Sequence, residues 1–174
     1  YPDKVRGEGF YLAVFKKTSG AESPARQKLK PKWVPVSKFI REGLGNWMYT
    51  SELAVVNSND NLLAMPLTTE KCLQQLTSLY IRKAGVSLGK WAGNDLVPHH
   101  ALALSHLMVK ELQVLELDRE QSLNYLRKVE TDAGKTDKGW VLVRFKGQNL
   151  GWIKQLGNRS NNYYPKEWRI LKPA

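Results

Sequence analysis

Gly139-Trp-Val-Leu-Val-Arg-Phe-Lys-Gly-Gln-Asn-Leu-Gly-Trp-Ile-Lys-Gln-Leu-Gly-Asn-Arg-Ser-Asn-Asn-Tyr-Tyr-Pro-Lys-Glu-Trp-Arg-Ile-Leu171 is the stretch from which the fold is read. It holds three tryptophans, two tyrosines and six Lys/Arg against one acid, Glu167. Val141, Val143 and Phe145 alternate with Leu142, Arg144 and Lys146, a period of two that predicts a strand. Lys146-Gly147-Gln148-Asn149 predicts a hairpin turn, because glycine supplies the positive φ that a tight reversal needs. Leu150–Gln155 is the expected return strand. Residues 157–162 are an expected polar loop, Tyr163-Tyr164-Pro165 an aromatic corner, and Trp168–Leu171 a last short strand. Together these predict a small, basic, aromatic-rich β-barrel that holds a ligand rather than transforming one.

Charge organises the rest of the chain. The 174 residues carry a net +11, which points to a polyanionic partner, nucleic acid before membrane. Residues 16–42 are +6 and residues 119–174 are +7, whereas residues 43–118 are −2. Two basic segments thus flank a near-neutral middle that reads as a scaffold. No run approaches the roughly 18 apolar residues of a membrane span. One cysteine, Cys72, excludes an intrachain disulfide and fits a reducing, cytoplasmic setting. The Tyr-Pro-Asp start is read as that of a fragment or a processed chain.

Working outward, Gly9–Lys17 is an expected buried strand and Ser19–Lys32 a Lys/Pro/Gly/Ser linker. Pro35–Leu44 is an expected helix, ended by Gly43 and Gly45. Glu52–Val56 and Asn61–Met65 form an expected hairpin. A helix is expected from Thr68 or Thr69 to about Thr77, with Leu73 and Leu76 on its buried face and Cys72 as a small core residue. Strands are expected at Leu79–Lys83 and Val86–Trp91, and Pro98 is expected to open a helix running through Met108. His99, His100 and His106 lack the i, i+4 spacing of a helical zinc pair. Val114–Leu117 is an expected strand. Asp118 and Gln121 form a capping-box pattern for the helix that follows. No Gly-rich phosphate loop and no nucleophile–base pair is visible, so no catalytic residue, cofactor site or metal site is assigned within the chain.

Several segments together resemble the Sun/fmu family of RNA cytosine-C5 methyltransferases, and within it the RsmF type, which acts on small-subunit ribosomal RNA. RGEGFYLAVFKK resembles the last strand of that family's catalytic domain. LYIRKAGVSLGKWAGNDLVPHHALALSH resembles its first C-terminal domain, where a Gly-x-x-Leu-Gly turn precedes a Pro-Ser-His-Ala-Leu-Ala-Leu helix. LDREQSLNYLRKVE and Gly139–Arg169 resemble its terminal PUA-like domain, with Leu150-Gly151-Trp152-Ile153-Lys154 and Asn162-Tyr163-Tyr164-Pro165-Lys166-Glu167-Trp168-Arg169 matching its turn and its ending. Two departures stand out: His99 replaces a usual Ser, and Lys128 a common Gly.

The resemblance implies an α+β chain in four parts. These are a leftover strand of a methyltransferase domain (1–18), a basic linker with a short helix (19–50), a small mixed α/β domain (51–117) and a PUA-like β-barrel (118–174). It implies that the S-adenosylmethionine site and two catalytic cysteines lie upstream, outside this chain. The implied partners are ribosomal RNA of the small subunit and the upstream catalytic domain in cis. For RNA contact, Lys154, Arg159, Lys166 and Arg169 are the phosphate candidates. Tyr163, Tyr164 or Trp152 are candidates for stacking or for shaping the barrel, and Asn158, Asn161 and Asn162 for hydrogen bonds to base edges or 2′-hydroxyls. Trp152 stays open between core and contact. The rival expectation is a structural module that braces the catalytic domain or docks a protein.

Overall fold

The computed structural model describes residues 13–16, 18, 33–75, 80–107, 112–129 and 136–171. Within them the chain is mixed α/β with two antiparallel-rich sheets. The first has the order β1-β2-β3-β4-β5, formed by Val34–Pro35, Leu53–Ser58, Asn61–Pro66, Val86–Ala92 and Asp95–Pro98. The second has the order β6-β7-β8-β9, formed by Gln113–Glu116, Gly139–Phe145, Gln148–Gln155 and Ser160–Asn162. β6 runs parallel to β7; the other pairs are antiparallel. The four strands form an open sheet, and no closed barrel is present among the described residues, so the mixed α/β class is seen without the expected barrel.

Local chemistry accounts for these elements. The β2–β3 reversal is made by Asn59 and Asp60, both at positive φ, and the β7–β8 reversal by Lys146 and Gly147, likewise at positive φ. These two-residue turns match the right-handed strand twist. The β7–β8 turn is thus shorter than expected, and Gln148 and Asn149 already pair with Phe145 and Arg144. Ser37 caps α1 (Lys38–Leu44), its hydroxyl accepting from the Ile40 N–H; Gly45 ends the helix and Gly43 lies inside it. Asp118 caps α4 (Arg119–Leu126), and both halves of the box form: Gln121 N–H to Asp118 Oδ1 at 2.8 Å, Asp118 N–H to Gln121 Oε1 at 3.0 Å.

Other expectations are corrected. Residues 13–16 are not in a strand, and Val14 and Phe15 are exposed; the remainder of Gly9–Lys17 and the Ser19–Lys32 linker lie outside the described residues. α2 (Leu67–Gln75) packs through Leu73, but Cys72 is exposed, because one helical residue is a rotation of about 100° away from the buried face. Residues 80–83 are not a strand; Leu76 and Leu79 lie outside the described residues. Pro98 ends β5, paired with Gly89, and the helix after it, α3 (His100–Ala103), is a single turn. Trp168 falls in a 3₁₀ turn (Lys166–Trp168) and Ile170 donates to the Leu126 carbonyl, so the expected last strand is absent.

The second sheet is buried on both faces. Val141, Val143 and Ile153 pack with Leu117 and Tyr125 beneath α4. Trp140, Leu142 and Trp152, on the opposite face, join Leu88 and Leu96 of the first sheet, Leu44, Trp47 and Met48 at the end of α1, and Leu102 after β5 in one core. Sequence boundaries placed α1 apart from the first sheet and β6 with it. Hydrogen bonds put β1 on β2 and β6 on β7.

Candidate nucleic-acid interface

The candidate residues hang on a frame at the junction of the two sheets. His99 caps α3: its Nδ1 accepts from the Ala101 N–H at 3.0 Å, the role a serine hydroxyl plays at this position. Burial first, and the Lys83 ammonium second, lower its pKa, so the ring stays neutral and able to accept. The Trp152 indole donates to the His99 carbonyl at 3.1 Å, and Asn149 donates to the Ala103 carbonyl at 2.8 Å. One helical turn is therefore bound to two points of β8. His100 is buried, with Tyr164 and Trp168 edge-on at 5.2 Å each; burial, then His99, lowers its pKa too.

Gly151 makes this approach possible. It sits at φ +149°, and a Cβ there would run into the Tyr125 hydroxyl and the His100 ring. The Tyr125 hydroxyl donates to the Trp152 carbonyl at 3.2 Å, and burial raises its pKa well above the ordinary phenol value. In this way the Leu-Gly-Trp run of β8 is a packing motif: glycine admits the tyrosine and histidine, and the tryptophan fills the shared core at 0% exposure. Trp152 is settled as core.

Two more candidates belong to the same frame. Asn162 donates to the Tyr125 carbonyl at 2.8 Å and accepts from the Tyr164 N–H at 2.8 Å, spending its amide on the backbone. Tyr164 packs edge-on against Tyr125 and His100. Its carbonyl accepts from Lys128 Nζ at 2.7 Å. Lys128 has φ +60°, a left-handed conformation that glycine adopts without strain. The hydrogen bond holds the lysine in a conformation it otherwise disfavours.

The remaining candidates are exposed, except Lys154, which is half-buried at the rim of the core that Trp140 and Trp152 share. Trp140 pairs with Lys154, and Lys154 with Asn161, so the three share one face of the sheet. The Tyr163 N–H bonds to the Trp152 carbonyl, continuing that pairing by one residue and setting Tyr163 on the same face. Its ring meets Trp140 edge-on at 4.6 Å, and Lys154 Nζ lies 4.9 Å from the Trp140 ring centroid. The indole thus places a cation and an exposed phenol side by side. Lys166 and Arg169 line one open cleft with Glu167 and Leu171. Asn158 and Arg159 are exposed on the β8–β9 turn, which the Leu156 N–H closes onto the Arg159 carbonyl at 2.9 Å. Trp140, Lys128 and the two histidines were not among the residues singled out for the site. Lys128 and His99 were signalled only as departures from the family pattern, and Trp140 and His100 not at all.

The described residues thus join an open sheet, at whose rim Trp140 holds Lys154 and Tyr163, to a second α/β unit. Residues 112–170 match the family described as the methyltransferase RsmF PUA domain, in line with the resemblance carried by the motifs of this stretch. Nearly the whole chain, 96% of it, is similar to ribosomal RNA small subunit methyltransferase F of Shewanella loihica, at 23% identity over 180 residues. The proteins of the same name from Shewanella sediminis and Vibrio parahaemolyticus are each 24% identical over the same share. The chain spans only 36–37% of the length of these relatives, consistent with a C-terminal region.

Proposed function

We propose that the chain is an RNA-binding C-terminal region that positions small-subunit ribosomal RNA for an upstream cytosine-C5 methyltransferase domain. In this reading the upstream domain holds S-adenosylmethionine and the catalytic cysteines, this chain contributes no catalytic group, and the whole acts in the cytoplasm. The observation that carries it is the partly exposed rim of the second sheet's core-facing side, beside Trp140. There Lys154 and Tyr163 are held by Trp140, while Lys166 and Arg169 flank a neighbouring cleft. A cation beside an exposed ring neutralises a phosphate and stacks a base within one nucleotide's reach. Arg159, Asn158 and Asn161 extend this surface. Asn162 and Tyr164 are better assigned to its frame. The units of this reading are best drawn at 33–107 and 112–171, following the sheets.

The test is binding of the chain to a small-subunit ribosomal RNA fragment across a salt series. Lys154→Ala and Lys166→Ala should each weaken binding and reduce the magnitude of the salt slope by about 0.7–0.9. Undiminished binding and an unchanged slope in both variants would refute the assignment. A second reading, a brace for the catalytic domain, is favoured by the core shared between the sheets, in which Trp47 meets Trp152 edge-on at 5.9 Å. It predicts a chain with no RNA affinity whose loss nevertheless destabilises the joined catalytic domain.

A further inference from the structure

A cleft of about 310 Å³ lies on the first unit, between the β2–β3 turn and the segment that precedes β4. Trp33, Asn59, Asn61, Ser87, Arg82 and Lys83 line it, and no acidic side chain does so among its described residues. Its volume is at the low end of ligand pockets, about 300–1,000 Å³, and suits one nucleotide. Arg82 and Lys83 are exposed, and neither forms an ion pair among the described residues. They are two of only five cations in residues 43–118, a segment of net charge −2, so their pairing at one mouth runs against the local average.

The place of this cleft matters as much as its lining. Ser87 of the cleft precedes Leu88, whose carbonyl accepts from the His99 N–H at 2.8 Å, so the cleft borders the strand on which the α3 turn sits. His100, the next residue of that turn, carries Trp168 on its ring, and Trp168 stands between Lys166 and Arg169 in sequence. The α3 turn therefore links the Arg82/Lys83 mouth to the Lys166/Arg169 cleft. The packing of α3 on β8 fixes the two relative to each other.

We propose that the Arg82/Lys83 cleft is a second RNA contact, gripping a phosphodiester of the same strand that lies on the terminal unit. The near-neutral first unit is then part of the RNA track rather than a spacer. This rests on the RNA-binding reading above, deepens it, and can fail separately from it. The experiment compares the 174-residue chain with its Arg82→Gln/Lys83→Gln variant, using a small-subunit ribosomal RNA fragment across a salt series. Lys154→Ala and Lys166→Ala serve as references. Two lost phosphate contacts should reduce the magnitude of the salt slope by about 1.4–1.8. The melting temperature should stay within about 1 °C, because exposed side chains away from caps contribute little to stability. Arg82→Lys/Lys83→Arg, which keeps both charges, should bind as the unaltered chain does. If the Gln variant keeps the original affinity and slope while the Lys154 and Lys166 variants lose theirs, the second contact is refuted and the terminal site stands. If the unaltered chain does not bind the RNA at all, both fall.

Discussion

Lys128 sets two effects against each other, and the structure decides which should win. The residue follows α4 at φ +60°, where a side chain costs about 1–2 kcal/mol relative to the right-handed region. Its Nζ donates to the Tyr164 carbonyl at 2.7 Å. Hydrogen bonds to charged groups contribute about 1.5–3 kcal/mol, and solvent access to this half-buried lysine lowers that to about 1 kcal/mol. Lys128→Ala removes the bond and keeps the strained backbone, so it should destabilise by about 1 kcal/mol. Lys128→Gly removes both; the relieved strain, reduced by glycine's greater freedom when unfolded, roughly offsets the lost bond. Glycine should therefore be the more stable substitution by about 1 kcal/mol, the reverse of the order in a helix interior, where glycine is the worse by a similar amount. For a chain of this size that is a difference of about 2–4 °C in melting temperature, readable by calorimetry or circular dichroism. If Lys128→Gly melts at or below Lys128→Ala, the left-handed strain is not worth what the comparison assumes, and the reasoning fails.

Gly151→Ala should destabilise by at least about 2 kcal/mol, since the added methyl meets both Tyr125 and His100 at a backbone angle that alanine disfavours; a melting temperature near that of the unaltered chain would contradict the packing. Trp152→Ala should cost about 3–5 kcal/mol and, because that side chain lies in the core common to both sheets, should lower a single cooperative transition rather than split off a terminal one; two resolved transitions in the unaltered chain would show the sheets to be independent. The histidines give a pH dependence whose sign is fixed: pKa values below the ordinary 6.5 in the folded chain mean that the unfolded chain binds more protons, so their contribution is full above about pH 6.5 and is lost as pH falls below it. His99→Ser, which keeps a cap for α3 and removes one titrating ring, should make the acid loss of stability shallower; an unchanged acid limb in urea denaturation would count against His99.

What could be read in advance was whatever depends on neighbours in sequence. The capping box at Asp118 and Gln121, the β2–β3 hairpin and the alternation of β7 are local patterns, and each formed. The length of α3 was not legible, because a proline before Ala-Leu-Ala-Leu matches a helix start as well as a strand end. Pairing of Pro98 with Gly89 chose the strand. Cys72 was misplaced for a similar reason, since one residue of helical phase separates the core from solvent. The site divided along the same line. Arg159, Lys166 and Arg169 were legible as exposed, but Lys154 is half-buried against Trp140, and Asn162 and Tyr164 look identical in sequence to contact residues and are committed to Tyr125 and Lys128 by tertiary geometry alone.

Those two commitments bear on how the surface works. A contact residue held by its own flexible side chain must lose that freedom on binding, at about 0.5–1.5 kcal/mol for each rotamer-rich chain. Here Asn162 fixes the Tyr164 N–H and Lys128 fixes its carbonyl, so the backbone leading from Tyr163 into Lys166 is set before any ligand arrives. Trp140 does the same for Lys154, whose ammonium already rests on the indole. On the RNA-binding reading proposed above, the residues whose polar groups are spent on the frame are thus what makes contact by their neighbours less costly. It follows that Asn162→Ala should weaken binding without touching RNA. Its signature is distinct from that of a lost lysine: affinity falls at every salt concentration by a similar factor while the salt slope is unchanged. A slope reduced by about 0.7–0.9, as for Lys154→Ala, would instead mean that the substitution dislodges a cation, and that the frame and the contacts are not separable in the way the hydrogen bonds indicate.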